Sequence, residues 1–162
     1  MSVMPTELLK TLLQNTDKPD VIRSLVAPDA TYVSLNQRDK DLHRIMPWAG
    51  THDRSGPQAI IDTFAGMAKS WTIEAFDVDQ LFGDSEHAAA FGRFTYRSIV
   101  LGRQVTSPFA VLATVRDGKA VYVQFMEDTF ATAASFQKDG NATYHRDPDG
   151  DAFSIAGAPT IA

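Results

Sequence analysis

The chain has 162 residues, 44% of them hydrophobic and 22% charged, which is enough for one compact domain and too little for two. A formal net charge of −5 argues against a nucleic-acid-binding protein, because phosphate contacts need clustered lysine and arginine. The absence of cysteine excludes disulfides, thiolate nucleophiles and cysteine-ligated zinc.

The N-terminus, MSVMPTELLKTLL, lacks the basic start and long apolar stretch of a signal peptide. No window approaches the ~18 apolar residues of a membrane span. We therefore expect a cytoplasmic protein with no membrane partner.

The first part of the chain has helical patterns. Leu8, Leu9 and Leu12 recur at helical spacing, and a second short helix is expected near Asp17 with Pro19 in its first turn. A strand from Thr31 to Leu35 follows, and residues 36–55 are polar and irregular. A third helix begins at Ser55-Gly56-Pro57, with an apolar stripe at i, i+3, i+4 and i+7 spacing: Ile60, Ile61, Phe64, Met67, Ala68 and Trp71.

The second part has strand patterns. Apolar and polar residues alternate from Trp71 to Phe82, with a slip in parity that indicates a bulge in this strand. Three further strands and a short helix follow: Ala88–Val100, Val105–Val115, Ala120–Phe125 and Thr129–Phe136. The order predicts an α+β domain over residues 1–136 with helices on one face of a curved sheet. Residues 137–162 form a tail, in which Asp149-Gly150 is expected to turn a small hairpin that lies on the body or on a partner.

The last strand is apolar on both faces. One face of Val121–Met126 carries Val121, Val123 and Phe125, and the other carries Tyr122, Gln124 and Met126. Helices cover only one face of a sheet, so we expect a homodimer through the outer sheet face.

Three segments resemble the nuclear transport factor 2-like superfamily, in its SnoaL-like and ketosteroid-isomerase-like branch: LVAPDATYVSL, WAGTHDRSGPQAIIDTF and SPFAVLATVRDGKAVYVQFMEDT. The resemblance covers about Leu8 to Phe136. It implies a cone-shaped antiparallel sheet, mixed at its edge, with about three to four helices on the concave side. It also implies a conical cavity for a flat, apolar small molecule.

Aromatic residues are the candidate lining of that cavity, with core packing as the alternative for each. The ligand-binding candidates are Trp48, Phe64, Tyr96 and Phe109, with Arg93 in addition. Arg93 is an unusual charge in a sheet, so it either pairs with a carboxylate such as Asp77 or Asp128, or it anchors an anionic substrate.

Asp128 is the candidate general base, because it follows the last strand in the parity of Tyr122, Gln124 and Met126. A general-base aspartate in cyclase-like members of the family resembles this placement. Asp128-Thr129 also fits a helix cap, and that alternative stays open. Glu127, of opposite parity, is expected to face solvent or a subunit edge.

Two further residues are candidates for a catalytic role. His52, in the stretch GTHDRSG before the third helix, is placed to move a proton near neutral pH, with a solvated loop histidine as the alternative. Tyr32 is placed to donate to a developing oxyanion. No spacing of histidines and carboxylates on one element indicates a metal site.

Departures from known sites narrow the reaction class. Ser34 stands where ketosteroid isomerases carry their base, and Phe109-Ala110-Val111 lacks their oxyanion-hole acid. The paired inward histidines of dehydratases have no match either. We expect a cofactor-independent lyase, isomerase or cyclase acting by proton transfer on an apolar carbonyl compound. The alternative is a ligand-binding or dimeric assembly module without turnover.

Overall fold

The computed structural model describes residues 4–35, 39–51, 55–145 and 150–156. In chain order the helices and strands are α1 (Pro5–Leu13), α2 (Pro19–Leu25), β1 (Val26–Ser34), α3 (Lys40–Ile45), β2 (Gly50–Thr51), α4 (Pro57–Ala68), β3 (Trp71–Gly83), β4 (His87–Ser98), β5 (Gln104–Arg116), β6 (Lys119–Glu127), α5 (Thr129–Ala134), β7 (Asn141–His145) and β8 (Ala152–Ala156). No helix in this part of the chain has the length and apolar character needed to cross a bilayer.

Six strands form one open sheet in the order β2–β1–β6–β5–β4–β3. Neighbouring strands are antiparallel except β1 and β6, which are parallel and make the sheet mixed near one edge. Helices α1 and α4 pack against one face, the concave face, and leave the opposite, convex face uncovered by helices in the described chain. The predicted α+β class with a mixed, curved sheet is confirmed.

Proline begins three of the helices, at Pro5, Pro19 and Pro57. The first N–H groups of a helix have no partner within the helix, so proline costs no hydrogen bond there. Leu8 and Leu9 of α1 are almost completely buried, as their spacing predicted.

The structure has two elements in the stretch that was predicted to be irregular. The Asp39 carboxylate caps α3 by accepting hydrogen bonds from the N–H groups of Asp41 at 3.0 Å and Leu42 at 2.9 Å. Strand β2 pairs with β1, with Val33 opposite Thr51. Both elements are too short for a hydrophobic period to reveal them.

Strand β1 begins at Val26 rather than at Thr31. Its pairing with β6 shifts between these two residues, and Pro28 lies in that shift, where the sheet needs no N–H from it.

The tail contains a two-stranded hairpin apart from the main sheet. Strands β7 and β8 are antiparallel, and Tyr144 lies opposite Phe153 with ring centroids 5.9 Å apart. The predicted turn at Asp149-Gly150 lies partly outside the described residues.

The long strand β3 bends because it contains two irregularities. Its register with β4 shifts between Ile73 and Ala75 and again between Val78 and Gln80, which confirms a bulged strand and adds a second bulge. Opposite the second bulge, Gly92 leaves room for the ring of Phe109. A Cβ on Gly92 would lie 2.0 Å from the Asp77 carbonyl oxygen and 2.8 Å from two atoms of that ring.

Gly92→Ala is expected to destabilise the protein by about 1–3 kcal/mol, because the added methyl overpacks the sheet against Phe109. Chemical denaturation measures the loss. Gly66→Ala is the matched control, since its Cβ would meet only Trp48 at 3.6 Å and alanine favours the α4 helix. Equal stability of the two variants would contradict this account of the close approach.

Candidate active site

A small cavity lies between the concave face of the sheet and helix α4, with a volume of about 20 Å³. We call it the inner cavity. Its lining combines aromatic and aliphatic side chains with a few polar groups: Tyr32, Ser34, Leu35, Trp48, Thr63, Phe64, Met67, Tyr96, Phe125 and Glu127. A mostly apolar chamber with convergent polar groups is the usual form of a small-molecule site.

Glu127 supplies the carboxyl group of the inner cavity. It ends strand β6 on the same face as Val123 and Phe125, which are both buried. Its Oε1 atom is buried and has no hydrogen-bond partner among the described residues. Burial raises the pKa of the Glu127 carboxyl to about 7; a hydrogen bond with Thr132 opposes the rise, and the Asp128 carboxylate adds to it. Both the neutral and the ionised form of the carboxyl are therefore present near neutral pH.

Two phenols belong to the same cavity. Tyr32, from β1, is 4% exposed and shares a hydrogen bond with the Ser34 hydroxyl, and Tyr96, from β4, is 2% exposed. Burial raises the pKa of both phenols above the usual value, and the charge of Glu127 raises them further. Both side chains are therefore neutral hydrogen-bond donors over the whole physiological range.

A larger groove of about 670 Å³ opens beside the inner cavity, between helices α1 and α4 and strand β3. We call it the outer groove. Phe64, Met67 and Tyr96 line both spaces, so these three side chains form the shared wall.

Three of the predicted ligand contacts and the catalytic candidate Tyr32 meet in this region. Tyr32 and Trp48 line the inner cavity, and Phe64 and Tyr96 line both spaces. Phe109 lies behind the cavity, in a stack of rings with centroids 4.5 Å from Phe76 and 5.5 Å from Phe125.

Arg93 lies on the convex face of the sheet and not in the cavity. Its guanidinium pairs with Asp79 at 2.9 Å and with Asp77 at 3.9 Å, all three side chains being largely exposed. The predicted pairing with Asp77 is confirmed. The predicted contact with an anionic ligand in the cavity does not fit this position.

Asp128 is exposed and caps helix α5. Its Oδ1 atom accepts a hydrogen bond from the Ala131 N–H at 3.1 Å, and its own N–H donates to Ser107 Oγ at 2.9 Å. These contacts fit the helix-cap alternative, and Asp128 is not among the residues that line the inner cavity. His52, the other titratable candidate, lies outside the described residues.

The prediction that Glu127 faces solvent is wrong. The prediction places the cavity on the side of Tyr122, Gln124 and Met126. In the structure these residues lie on the convex face, and Glu127 lies on the opposite, concave face. The sequence holds a usable signal, because Glu127 continues the purely apolar row of Val123 and Phe125. An acid at the end of such a row is the one that burial will perturb.

No group of three or more histidine, cysteine, aspartate or glutamate side chains that could hold a metal ion occurs in the described ranges.

Glu127→Gln is expected to remove a pH dependence of stability. The carboxyl has a higher pKa in the folded protein than its ordinary 4.5, so the folded state binds more protons and its stability falls as pH rises from 4.5 to about 7. The full effect is on the order of 3 kcal/mol, since one pKa unit corresponds to about 1.4 kcal/mol.

Denaturant unfolding on both sides of this pH window measures the effect. Asp128→Asn is the matched control, because asparagine keeps the helix cap and leaves Glu127 in place, so its stability should still fall across the window. An unchanged pH dependence in Glu127→Gln would show that the buried carboxyl is not its source.

The chain matches known proteins over most of its length. Residues 9–123 match the family model of the SnoaL-like domain. Patulin synthesis protein F of Aspergillus clavatus is 44% identical over 150 residues, which cover 90% of this chain and 76% of that protein. Patulin biosynthesis cluster protein F of Penicillium expansum is 40% identical over 90% of this chain and 75% of that protein.

Solved structures share the fold at low sequence identity. An NTF2-like protein of Burkholderia thailandensis superposes with a TM-score of 0.69 at 21% identity, over 83% of this chain and 98% of that one. A protein with a ketosteroid isomerase-like fold from Catenulispora acidiphila gives 0.63 at 16% identity, over 83% and 94%. The structural likeness shows an NTF2-like fold. Because residues 9–123 match the model of the SnoaL-like domain, this chain belongs to the SnoaL-like family.

Proposed function

We propose that this protein is an enzyme that transfers protons on a small carbonyl compound, without a cofactor, and that Glu127 is its general acid and base. The observation that carries the proposal is the buried, unpartnered Oε1 atom of Glu127 in a cavity that also holds Tyr32 and Tyr96. A catalytic pKa near the working pH is the most effective one for proton transfer, and that of Glu127 is about 7.

The chemistry follows from the two kinds of group. Ionised Glu127 removes a proton from the carbon next to the carbonyl. The electron pair of that C–H bond forms a C=C bond, and the π pair of the C=O bond moves to the carbonyl oxygen. The phenols of Tyr32 and Tyr96 donate hydrogen bonds to this developing oxyanion. Protonated Glu127 then returns the proton at another position, which completes an isomerisation. In the lyase outcome, a group on the neighbouring carbon leaves with its bonding pair and takes the proton from Glu127. In the cyclase outcome, the enolate carbon attacks a second carbonyl carbon of the same molecule, and the oxygen of that carbonyl takes the proton.

The relatives support a biosynthetic role. Both are named for patulin synthesis, and each is at least 40% identical to this chain over 150 residues. We infer that this chain acts on a small-molecule intermediate of a comparable route. A cytoplasmic location also remains a proposal.

The other catalytic candidates keep different roles in this proposal. Tyr32 stays as the oxyanion donor. Asp128 acts through the α5 cap that holds the end of β6. His52, which precedes α4 in the chain, stays a candidate.

A complementation experiment tests the proposal. This chain, expressed in an Aspergillus clavatus strain without its patulin synthesis protein F, is expected to restore patulin, measured by mass spectrometry. Glu127→Gln should restore at most about a hundredth as much, since general acid–base catalysis contributes 10²–10⁴-fold. Tyr32→Phe should give a partial loss.

Asp128→Asn is the matched control and is expected to restore patulin as the unchanged chain does. Full activity of a folded Glu127→Gln would reject Glu127 as the catalytic group. Loss of activity in a folded Asp128→Asn together with that result would assign the role to Asp128. Restoration by neither the unchanged chain nor its variants, with the protein folded and present, would contradict the biosynthetic role.

A non-catalytic ligand-binding protein is the second candidate. The observation in its favour is that the outer groove, with about 670 Å³, is far larger than the space beside Glu127. A compound that the purified protein retains and that mass analysis recovers unchanged after hours would support it.

We also propose that the protein is a homodimer joined through the convex face. This face exposes large apolar side chains with 42–56% of their surface accessible: Phe82, Phe91, Leu112 and Met126. Phe82 and Phe91 stack at 6.0 Å, and the Arg93–Asp79 and Arg97–Glu74 pairs lie beside them. An apolar centre with a charged border is the usual anatomy of an interface between copies.

Light scattering at micromolar concentration should therefore give about twice the chain mass of 17.7 kDa. A standard interface buries roughly 800 Å² per partner. A charged side chain at its centre would be buried without a partner charge, which disfavours association. Leu112→Arg is expected to give the monomer, and Arg116→Glu, at the strand end, serves as the control. A monomeric unchanged protein would refute the proposal.

A further inference from the structure

The two spaces at the site differ sharply in size. The inner cavity has about 20 Å³, whereas the outer groove has about 670 Å³. A water molecule needs about 10–15 Å³ of such volume, so the inner cavity has room for one group the size of a water molecule.

The inner cavity holds the polar groups that the proposed function uses. Glu127 Oε1 has no partner in the described chain, and the phenols of Tyr32 and Tyr96 line the same space. A hydroxyl placed there would donate a hydrogen bond to Oε1 of the ionised carboxyl, and a carbonyl oxygen would accept one from the phenols or from the protonated carboxyl.

The outer groove is lined by apolar and polar side chains. Its apolar residues are Leu13, Phe64, Met67, Ile73, Phe76, Val78 and Leu81. Its polar groups come from α1, the segment after it and β3, and they include Glu7, Lys10 and Asp79. The wall towards Glu127 is made by Phe64 and Met67 of α4 together with Tyr96.

We propose that a substrate binds across both spaces, with a single unhindered oxygen atom in the inner cavity and its apolar body in the outer groove, and that Met67 sets the size limit between them. The inference rests on the proposed function, because the oxygen in the inner cavity is the carbonyl oxygen to which the phenols of Tyr32 and Tyr96 donate, while Glu127 takes the proton from the carbon next to that carbonyl.

The proposal selects a chemical class. Alcohols, aldehydes and ketones with an accessible oxygen fit, because they place one oxygen and no further heavy atom beyond the wall. Ethers and esters at that end exceed the volume, and a carboxylate would add a second oxygen and a negative charge next to Glu127.

Three matched probes test the size limit by NMR on protein labelled at the methionine methyl groups, of which the chain has five. Benzyl alcohol places one hydroxyl at the end of an apolar ring, ethylbenzene replaces that hydroxyl by a methyl group, and benzyl methyl ether adds a methyl to the oxygen. Met67→Ala identifies the Met67 resonance by its loss.

Benzyl alcohol is expected to shift the Met67 methyl and to bind about tenfold more tightly than ethylbenzene, the effect of one buried hydrogen bond. Benzyl methyl ether is expected to bind no better than ethylbenzene. In Met67→Ala, followed by tryptophan fluorescence, the ether should gain affinity relative to the alcohol. Met4→Ala, at an exposed methionine outside both spaces, should leave the order unchanged.

Equal affinity of the three probes, or no shift of the Met67 methyl at the solubility limit of each, would overturn the proposal. So would an unchanged order of affinities in Met67→Ala, with Phe64→Leu as a second variant of the wall if Met67→Ala does not fold. The outcomes separate from those of the proposed function. The predicted order of probes together with full activity of Glu127→Gln would keep the two-part site and reject Glu127 as the catalytic group.

Discussion

The stack of rings centred on Phe109 is the constraint that the site depends on. Phe109 packs against Phe76 and Phe125, and it reaches this position because Gly92 carries no side chain and β3 is bulged opposite it. Phe125 contacts the stack on one side and lines the inner cavity on the other. The close packing of these rings therefore fixes the part of the sheet that carries Glu127, Tyr32 and Tyr96.

Much of the fold could be predicted from the sequence because its signals are local. These signals act within a few residues. They are the leucines of α1, the prolines that begin helices, and the Asp117-Gly118 pair that turns the chain between β5 and β6. Short elements carry no such signal, which is why α3 and β2 were missed. Arg93 lies directly opposite Asp77 on the neighbouring strand, so the two side chains share one face of the sheet. The sequence alone offers this pairing only as one of several alternatives.

The site shows where such reasoning stops. Glu127 and Asp128 are neighbours in the chain, yet one is the last residue of a strand on the covered face and the other is an exposed helix cap. The register between β5 and β6 decides which side chains of β6 face the helices. This register shifts by one residue between Thr114 and Val115, so simple alternation along β6 does not predict it. Alternation predicts that two neighbouring side chains point to opposite sides, and only the three-dimensional packing decides which side is buried.

The parallel pairing of β1 with β6 has a consequence for the order in which the molecule can assemble. It joins the start of the domain to the end of the sheet, and Lys119 Nζ donates to the Ser24 carbonyl oxygen across 95 residues of chain. Contacts of this separation form late in folding, because a long loop must close before they are gained. During synthesis on the ribosome, Tyr32 has left the exit tunnel long before Glu127 is even added to the chain. The acid and its phenol partners therefore meet only in the finished domain, and a truncated chain has no partial version of the site.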